Sequence, residues 1–297
     1  MTTTALPTAG RTPSRPSRRQ RQHVLMAVLL TLLALIISIL FVLPAAWMFL
    51  GSLAPGNSVI ENVSPLGWHT LFPRIWTLDN YRQLFGGLNF IRPMLNSLFV
   101  TFVSVAIGLT MAAPAAYALS VLRFRGRDVV FSLLVIGFMI PFEAIAIPLA
   151  HVFTSWHLDD SYVALILPGI GNGLAIFNLR QSFLGVPPSL REAAVIDGAS
   201  EFRILSRIYV PLNATTMINS GLLIFMGQWA AYLWPLLIVS SESKQVAAVA
   251  LSRTYSDSLF NFGQMFGAAL VISVVPAVVL FVLQRHFSIS ISTSGEK

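Results

Sequence analysis

The chain has 297 residues, of which 55% are hydrophobic and only 10% charged, against about 25% charged in an ordinary soluble domain. That much apolar surface exceeds what a soluble core hides, so lipid is the expected solvent for most of the chain. The net charge of +7 points to a membrane face and not to nucleic acid, because the arginines sit beside apolar runs; the absence of cysteine excludes disulfides and thiolate metal sites.

Residues 1–22 are rich in Thr, Pro, Ser and Arg and lack apolar periodicity, which predicts a disordered basic tail. The apolar run Val24 to Leu50 follows. It is too long for the roughly 7–15-residue core of a secretory signal and reads as an uncleaved first span. Five more runs have spanning length, about 20 residues at 1.5 Å rise each. They are Asn96 to Val121, Val129 to Phe153, Tyr162 to Phe183, Thr215 to Val239 and Phe266 to Leu283. The expectation is an all-α polytopic membrane protein with six transmembrane helices. Residues 23–92 would hold the first span and an external loop folded as a small cap, 93–287 the core, and 288–297 a C-terminal tail. With the N-terminus inside, 14 of the 19 Lys and Arg residues fall on cytoplasmic pieces, so both termini are expected in the cytoplasm.

The segment 184–212, between the fourth and fifth spans, is the most informative. Pro187-Pro188 ends the preceding span and presets a helix start. Ser189 and Glu192 have the spacing of a capping box. Gly198 suits a turn, and Ser200 suits the cap of a second helix in which Ile204, Leu205 and Ile208 share a face. Pro211 is expected to stop that helix. Such a unit is too polar to insert and too apolar on one face to lie free in water. It predicts a docking site for a cytoplasmic protein, a helix pair on the membrane surface or an ordinary structured loop.

Glu192-Ala193-Ala194, then Asp197-Gly198 and Ile208, Val210 and Pro211, resemble the EAA loop of ABC-type importer permeases. Leu78-Asp79-Asn80-Tyr81, Asn96-Ser97-Leu98, Arg123-Phe124-Arg125-Gly126, Ile140-Pro141-Phe142-Glu143, Ile147-Pro148-Leu149 and Trp229 to Leu236 are similar, in order, to the six-span carbohydrate subfamily, the maltose and glycerol-phosphate type. Two features depart from it: the Arg-rich tail is long, and Ala230 stands where Asn is common. The resemblance implies a type I ABC importer transmembrane-domain fold, half of a translocation path for a sugar or polyol, with glycerol phosphate as the alternative cargo. It implies ATPase coupling through Glu192, Ala193, Ala194, Asp197 and Gly198, with Arg203 and Arg207, one turn apart, facing acidic groups of the partner or anionic lipid. The implied partners are a second permease subunit in a heterodimer, two ATP-binding subunits, an extracytoplasmic solute-binding protein and the bilayer.

Candidate path residues are Glu143, Asn172, Asn219, Gln228 and Trp229. Glu143 is the one acid well inside an apolar run, about 22 Å above the cytoplasmic edge in a span that the flanking Pro141 and Pro148 suggest is bent, and reads either as a gate residue or as a carboxyl buried against a neighbouring helix. Asn172, Asn178, Asn219 and Gln228 can equally be interhelical glue. Trp229 can stack on a sugar, and Trp234 fits an aromatic belt. Gly169, Gly171 and Gly173 after Pro168 allow local unwinding or close packing. There is no phosphate-binding G-x-x-x-x-G-K-[ST] loop, so ATP hydrolysis is expected in another subunit. The five histidines form no metal-ligand spacing, and no cofactor or metal is expected. An ion-coupled secondary transporter would call for intramembrane charge pairs and an inverted repeat, neither of which is evident.

Overall fold

The computed structural model describes residues 18–292 except 57, 66 and 258–260, and among these every regular element is helical. The expected N-terminal tail lies outside the described residues up to position 17, and Arg18 already opens the first helix, α1 (Arg18–Ser52). Where a C-terminal tail was expected from 288, helix continues to Ser292, and 293–297 lie outside the described residues.

Six spans are present when bent pairs are counted as one. The second is a single long helix, α2 (Ile91–Ser120). The third is broken into α3 (Arg127–Met139) and α4 (Phe142–Ser155), bent by 96°. Pro141 causes the break: it has no N–H to donate backwards and holds Ile140 in an extended conformation (φ −72°, ψ 123°). Pro148 lies inside α4 without interrupting it. The fourth span is α5 (Tyr162–Ile170) and α6 (Gly173–Leu184). Next come α7 (Pro188–Ile196) and α8 (Glu201–Leu212), the latter meeting α9 (Ala214–Trp229) at 87°. The fifth span was expected as one run to Val239, but α9 stops at Trp229 and α10 (Leu233–Ile238) starts afresh. Helix α11 (Ala247–Asp257) and the sixth span, α12 (Phe262–Ser292), complete the chain.

Helix α2 is the centre of the bundle. Ser97, Thr101, Ser104, Gly108, Ala112 and Ala116, three or four residues apart, form a buried small-residue face, against which α5, α6 and α9 pack. Without a hydrophobic drive between helices in lipid, close backbone approach along such a face is what holds spans together. Helix α1 stands at the edge. It packs on α12 through the edge-on contact of Trp47 with Phe266 (centroids 5.4 Å apart), while most large apolar side chains from Leu25 to Leu43 are exposed. The loop after α1 is pinned by buried Asn80, whose Nδ2 donates to the Ser52 and Ala54 carbonyls (2.8 and 2.7 Å). At the same end of α2, Asn96 Nδ2 donates to the Ser243 and Gln245 carbonyls (3.0 and 2.8 Å).

Candidate functional site

Helices α7 and α8 form an elbow. Pro188 occupies the first turn of α7 and Pro187 its N-cap, so Ser189 falls inside the helix and the capping box expected with Glu192 does not form. The C-terminus closes as its composition predicts: Gly198 adopts φ +77°, and Ala199 N–H reaches back to the Ala194 carbonyl (2.9 Å). Ser200 caps α8, its Oγ accepting from Arg203 N–H (3.4 Å). Pro211 lies in the last turn of α8, which ends one residue later at Leu212. Lacking an N–H for the carbonyl four residues back, it follows a wide turn at Leu205–Tyr209 in which Val210 N–H bonds to the Leu205 carbonyl.

The elbow has two faces. Ala194, Ile204, Leu205 and Tyr209 are buried in one core with Ala116, Tyr117, Leu179 and Phe183, and Ile208 packs partly against it. The other face carries Ile196, 85% exposed, and Phe202, 78% exposed, with Leu190 and Val195 also exposed. Six of the seven residues expected to couple, Glu192, Ala193, Asp197, Gly198, Arg203 and Arg207, are exposed; Ala194 points inward. Glu192 also lines a cavity of about 860 Å³ with Arg123, Arg127 and Arg191.

A residue set not anticipated from sequence joins the elbow to the bundle. Glu201, at the start of α8, accepts from Arg191 of α7 through Nε (3.3 Å) and Nη2, and from the Tyr117 hydroxyl of α2 (2.5 Å). Arg191 and Glu201 are ten residues apart, outside helical contact spacing, and the Gly198 turn is what brings them face to face.

The second feature is a cavity of about 520 Å³ where three interrupted spans converge. Phe142 and Glu143 come from the break in the third span, Asn172 from the fourth, and Ala230, Ala231 and Tyr232 from the fifth. Irregular backbone at membrane depth is tolerated where protein buries it or where it lines a wet cavity. Glu143 sits in the first turn of α4, just past the break, and within this chain it is exposed and not buried against another of its helices. Asn172 caps α6, its Oδ1 accepting from Ala175 N–H (2.9 Å). Gln228 Nε2 donates to the Leu165 carbonyl (2.7 Å) and approaches Gly169 so closely that a Cβ there would lie 2.5 Å from its Oε1. Trp234, expected in an interfacial belt, is buried, its indole N–H bonded to the Ala164 carbonyl (2.9 Å).

Asn219 and Trp229 are not among the residues lining this cavity. Trp229 is buried and stacked on Phe225 (5.9 Å, 9° between planes). The Asn219 Oδ1 and the Trp229 indole N–H are buried without partners among the described residues. Asn178 is interhelical glue, its Nδ2 donating to Ser220 Oγ (3.1 Å). Phe142, Tyr232 and Trp234 line the cavity unforeseen; the signal that could have found them is the clustering of Pro141 and the Ala230–Tyr232 interruption within apolar runs.

Residues 104–292 match the family described as binding-protein-dependent transport system inner membrane component. The arabinooligosaccharides transport system permease protein AraQ of Bacillus subtilis (strain 168) is 30% identical over 282 residues, 94% of this chain and 99% of that protein. The sn-glycerol-3-phosphate transport system permease protein UgpE of Yersinia pestis bv. Antiqua (strain Antiqua) is 32% identical over 238 residues, 80% of each chain. Among solved structures, a chain of a bacterial ABC transporter involved in the import of the acidic polysaccharide alginate superposes with a TM-score of 0.75 at 24% identity, covering 93% of this chain and all of that one; that likeness concerns the fold.

Proposed function

Because the chain belongs to the family of binding-protein-dependent transport system inner membrane components, we propose that it is the permease subunit of an ATP-driven importer for a neutral sugar or polyol. It forms half of the translocation path beside a second, different permease subunit. Two separate ATP-binding subunits hydrolyse ATP, and an extracytoplasmic solute-binding protein delivers the cargo. Both termini and the elbow lie in the cytoplasm. The observation that carries this reading is the outward face of the elbow, where Ile196 and Phe202 stand exposed beside Glu192, Asp197, Arg203 and Arg207. An apolar centre ringed by charge is the composition of a protein contact.

Cargo moves past the cavity at the three span interruptions. Its size is within the range of small-ligand sites, and amide, carboxylate and aromatic groups (Asn172, Gln228, Glu143, Tyr232) line it. Polyhydroxyl cargo suits those groups. The lining contains a carboxylate and no Lys or Arg, which favours neutral cargo over a glycerol phosphate.

Affinity purification of the tagged chain in mild detergent, with partner stoichiometry by mass spectrometry, tests the assignment. An ATPase at one copy per permease chain, together with a second permease, is the expected result. A solitary chain that transports in liposomes without ATP would overturn it.

A further inference from the structure

Helix α7 is weakly anchored for an element that must transmit force. Of its nine residues only Ala194 is buried, and at the elbow's apex Gly198 has no neighbour within 4 Å of where a Cβ would stand. Packing therefore does little to fix the angle between α7 and the bundle. The Glu201 carboxylate does so instead, because from its place on α8 it takes donors from two other elements at once: the guanidinium of Arg191 on α7 and the hydroxyl of Tyr117 on α2. Charge-assisted, forked contacts of this kind fix orientation as well as distance. Beneath the carboxylate, Tyr117 meets Tyr209 edge-on (4.9 Å) and Tyr209 meets Phe183 of α6 (5.5 Å), so the contact rests on a buried aromatic column.

Helix α2 is also the strut that reaches both other working parts. It packs on α5 and α9, which line the cavity, and its far end holds the Ser243–Gln245 loop through Asn96. We propose that Glu201 is a positioning residue that locks α7, α8 and the end of α2 into one body, so that displacement of the elbow is delivered to α2. The proposal rests on the reading of the elbow as the ATPase contact. Arg123, Arg127 and Glu192 border the same cavity as Arg191; once Glu201 is neutralised, the Glu192 carboxylate is the group there that can recapture Arg191, while Arg123 and Arg127 repel it.

The natural chain has no cysteine, so spin labels can be placed at Ser189→Cys on α7 and Leu95→Cys on α2, about 33 Å along the helix from Tyr117. Both positions are exposed. The distance between them is measured by electron–electron resonance in the purified complex, with and without trapping by ATP and vanadate, alongside ATP hydrolysis. With Glu201 intact the distance distribution stays single and unmoved on trapping. Glu201→Gln and the milder Tyr117→Phe broaden and shift it while ATP hydrolysis persists, and Arg191→Glu combined with Glu201→Arg restores the narrow distribution. Distributions in Glu201→Gln and Tyr117→Phe that coincide with the parent overturn the proposal, as does loss of the ATPase subunit from both variants, which would make the contact one of assembly only. If the parent chain itself carries no ATPase subunit, the reading of the elbow fails first, and the two failures are told apart.

Discussion

The indole N–H of Trp234 bonds to the carbonyl of Ala164 at 2.9 Å, the carbonyl that Pro168, four residues on, has no N–H to satisfy. The buried ring also lies edge-on to Phe142 and Phe153 (5.8 and 5.2 Å), so one side chain ties α10 to α4 and α5 beside the cavity. Trp234→Phe keeps an aromatic ring there and orphans the carbonyl. The expected cost is about 1 kcal/mol, read as a lower thermal midpoint of the detergent-solubilised protein. In a Pro168→Ala background the backbone supplies the donor, so the same substitution costs less; equal costs in both backgrounds would refute this account.

Gly169 and Gln228 form a second testable pair. A Cβ at 169 would lie 2.5 Å from Gln228 Oε1. A Gln side-chain end can swing away, so Gly169→Ala is expected to fold. It displaces the amide from the Leu165 carbonyl and into the cavity. Uptake should fall through a higher KM, and Gln228→Ala in the same chain should recover part of it by vacating the space. Uptake kinetics of the two single variants and the double variant check this; an additive loss in the double variant would show that the two residues act separately.

Hydropathy made the number of spans legible, and local chemistry made the elbow legible: Gly198 turns at φ +77° and Ser200 caps the next helix. The span breaks were legible in part: Pro141 and Pro148 suggest a bent third span, and Pro168 with its glycines allows unwinding of the fourth, whereas the apolar run continues through the stop of α9 at Trp229. Pro141 and Pro148 look alike in sequence, yet only Pro141 breaks the helix, and Pro148 sits within α4. Three expected path residues, Glu143, Asn172 and Gln228, line one cavity, since polar groups at membrane depth gather where backbone is irregular. Aromatic character alone does not separate a ring stacked on Phe225, as Trp229 is, from one facing a cavity. The contact of Arg191 and Glu201 with Tyr117 depends on a turn and on a helix 84 residues away, so no local pattern announces it.

Asp160 predicts a pH dependence at the other end of the bundle. It accepts from Ser241 N–H (3.0 Å), Ser240 N–H (3.2 Å), Ser241 Oγ (2.8 Å) and Lys244 Nζ (2.9 Å). The Ser241 backbone bond, then Lys244 and the Ser241 hydroxyl, hold its carboxyl well below the usual carboxylate range. A depressed folded-state pKa stabilises above the unfolded value and is lost as pH falls through the folded one. The stability gap between parent and Asp160→Asn should therefore be constant from about pH 8 to 5 and narrow below about pH 4. Thermal midpoints across that range measure it, and a gap that widens on acidification would contradict the assignment.

Gly198 separates the elbow's shape from its contacts. Its φ of +77° is one that L side chains adopt at a cost, about 1–2 kcal/mol per residue. Within this chain a Cβ there would meet nothing within 4 Å, so the cost of Gly198→Ala is set by the backbone alone, and membrane insertion should be intact. The position is exposed, so a larger side chain can point away from the subunit. If the exposed apex seats against an ATPase subunit, however, bulk adds a clash with that partner. Uptake should then fall steeply from Gly to Ala to Trp, while thermal midpoints of the isolated subunit fall once, at Ala, and then level off. Uptake that tracks the midpoints through the series would mean that Gly198 serves the fold of the elbow only, and wild-type uptake in Gly198→Trp would remove the elbow from the coupling path altogether.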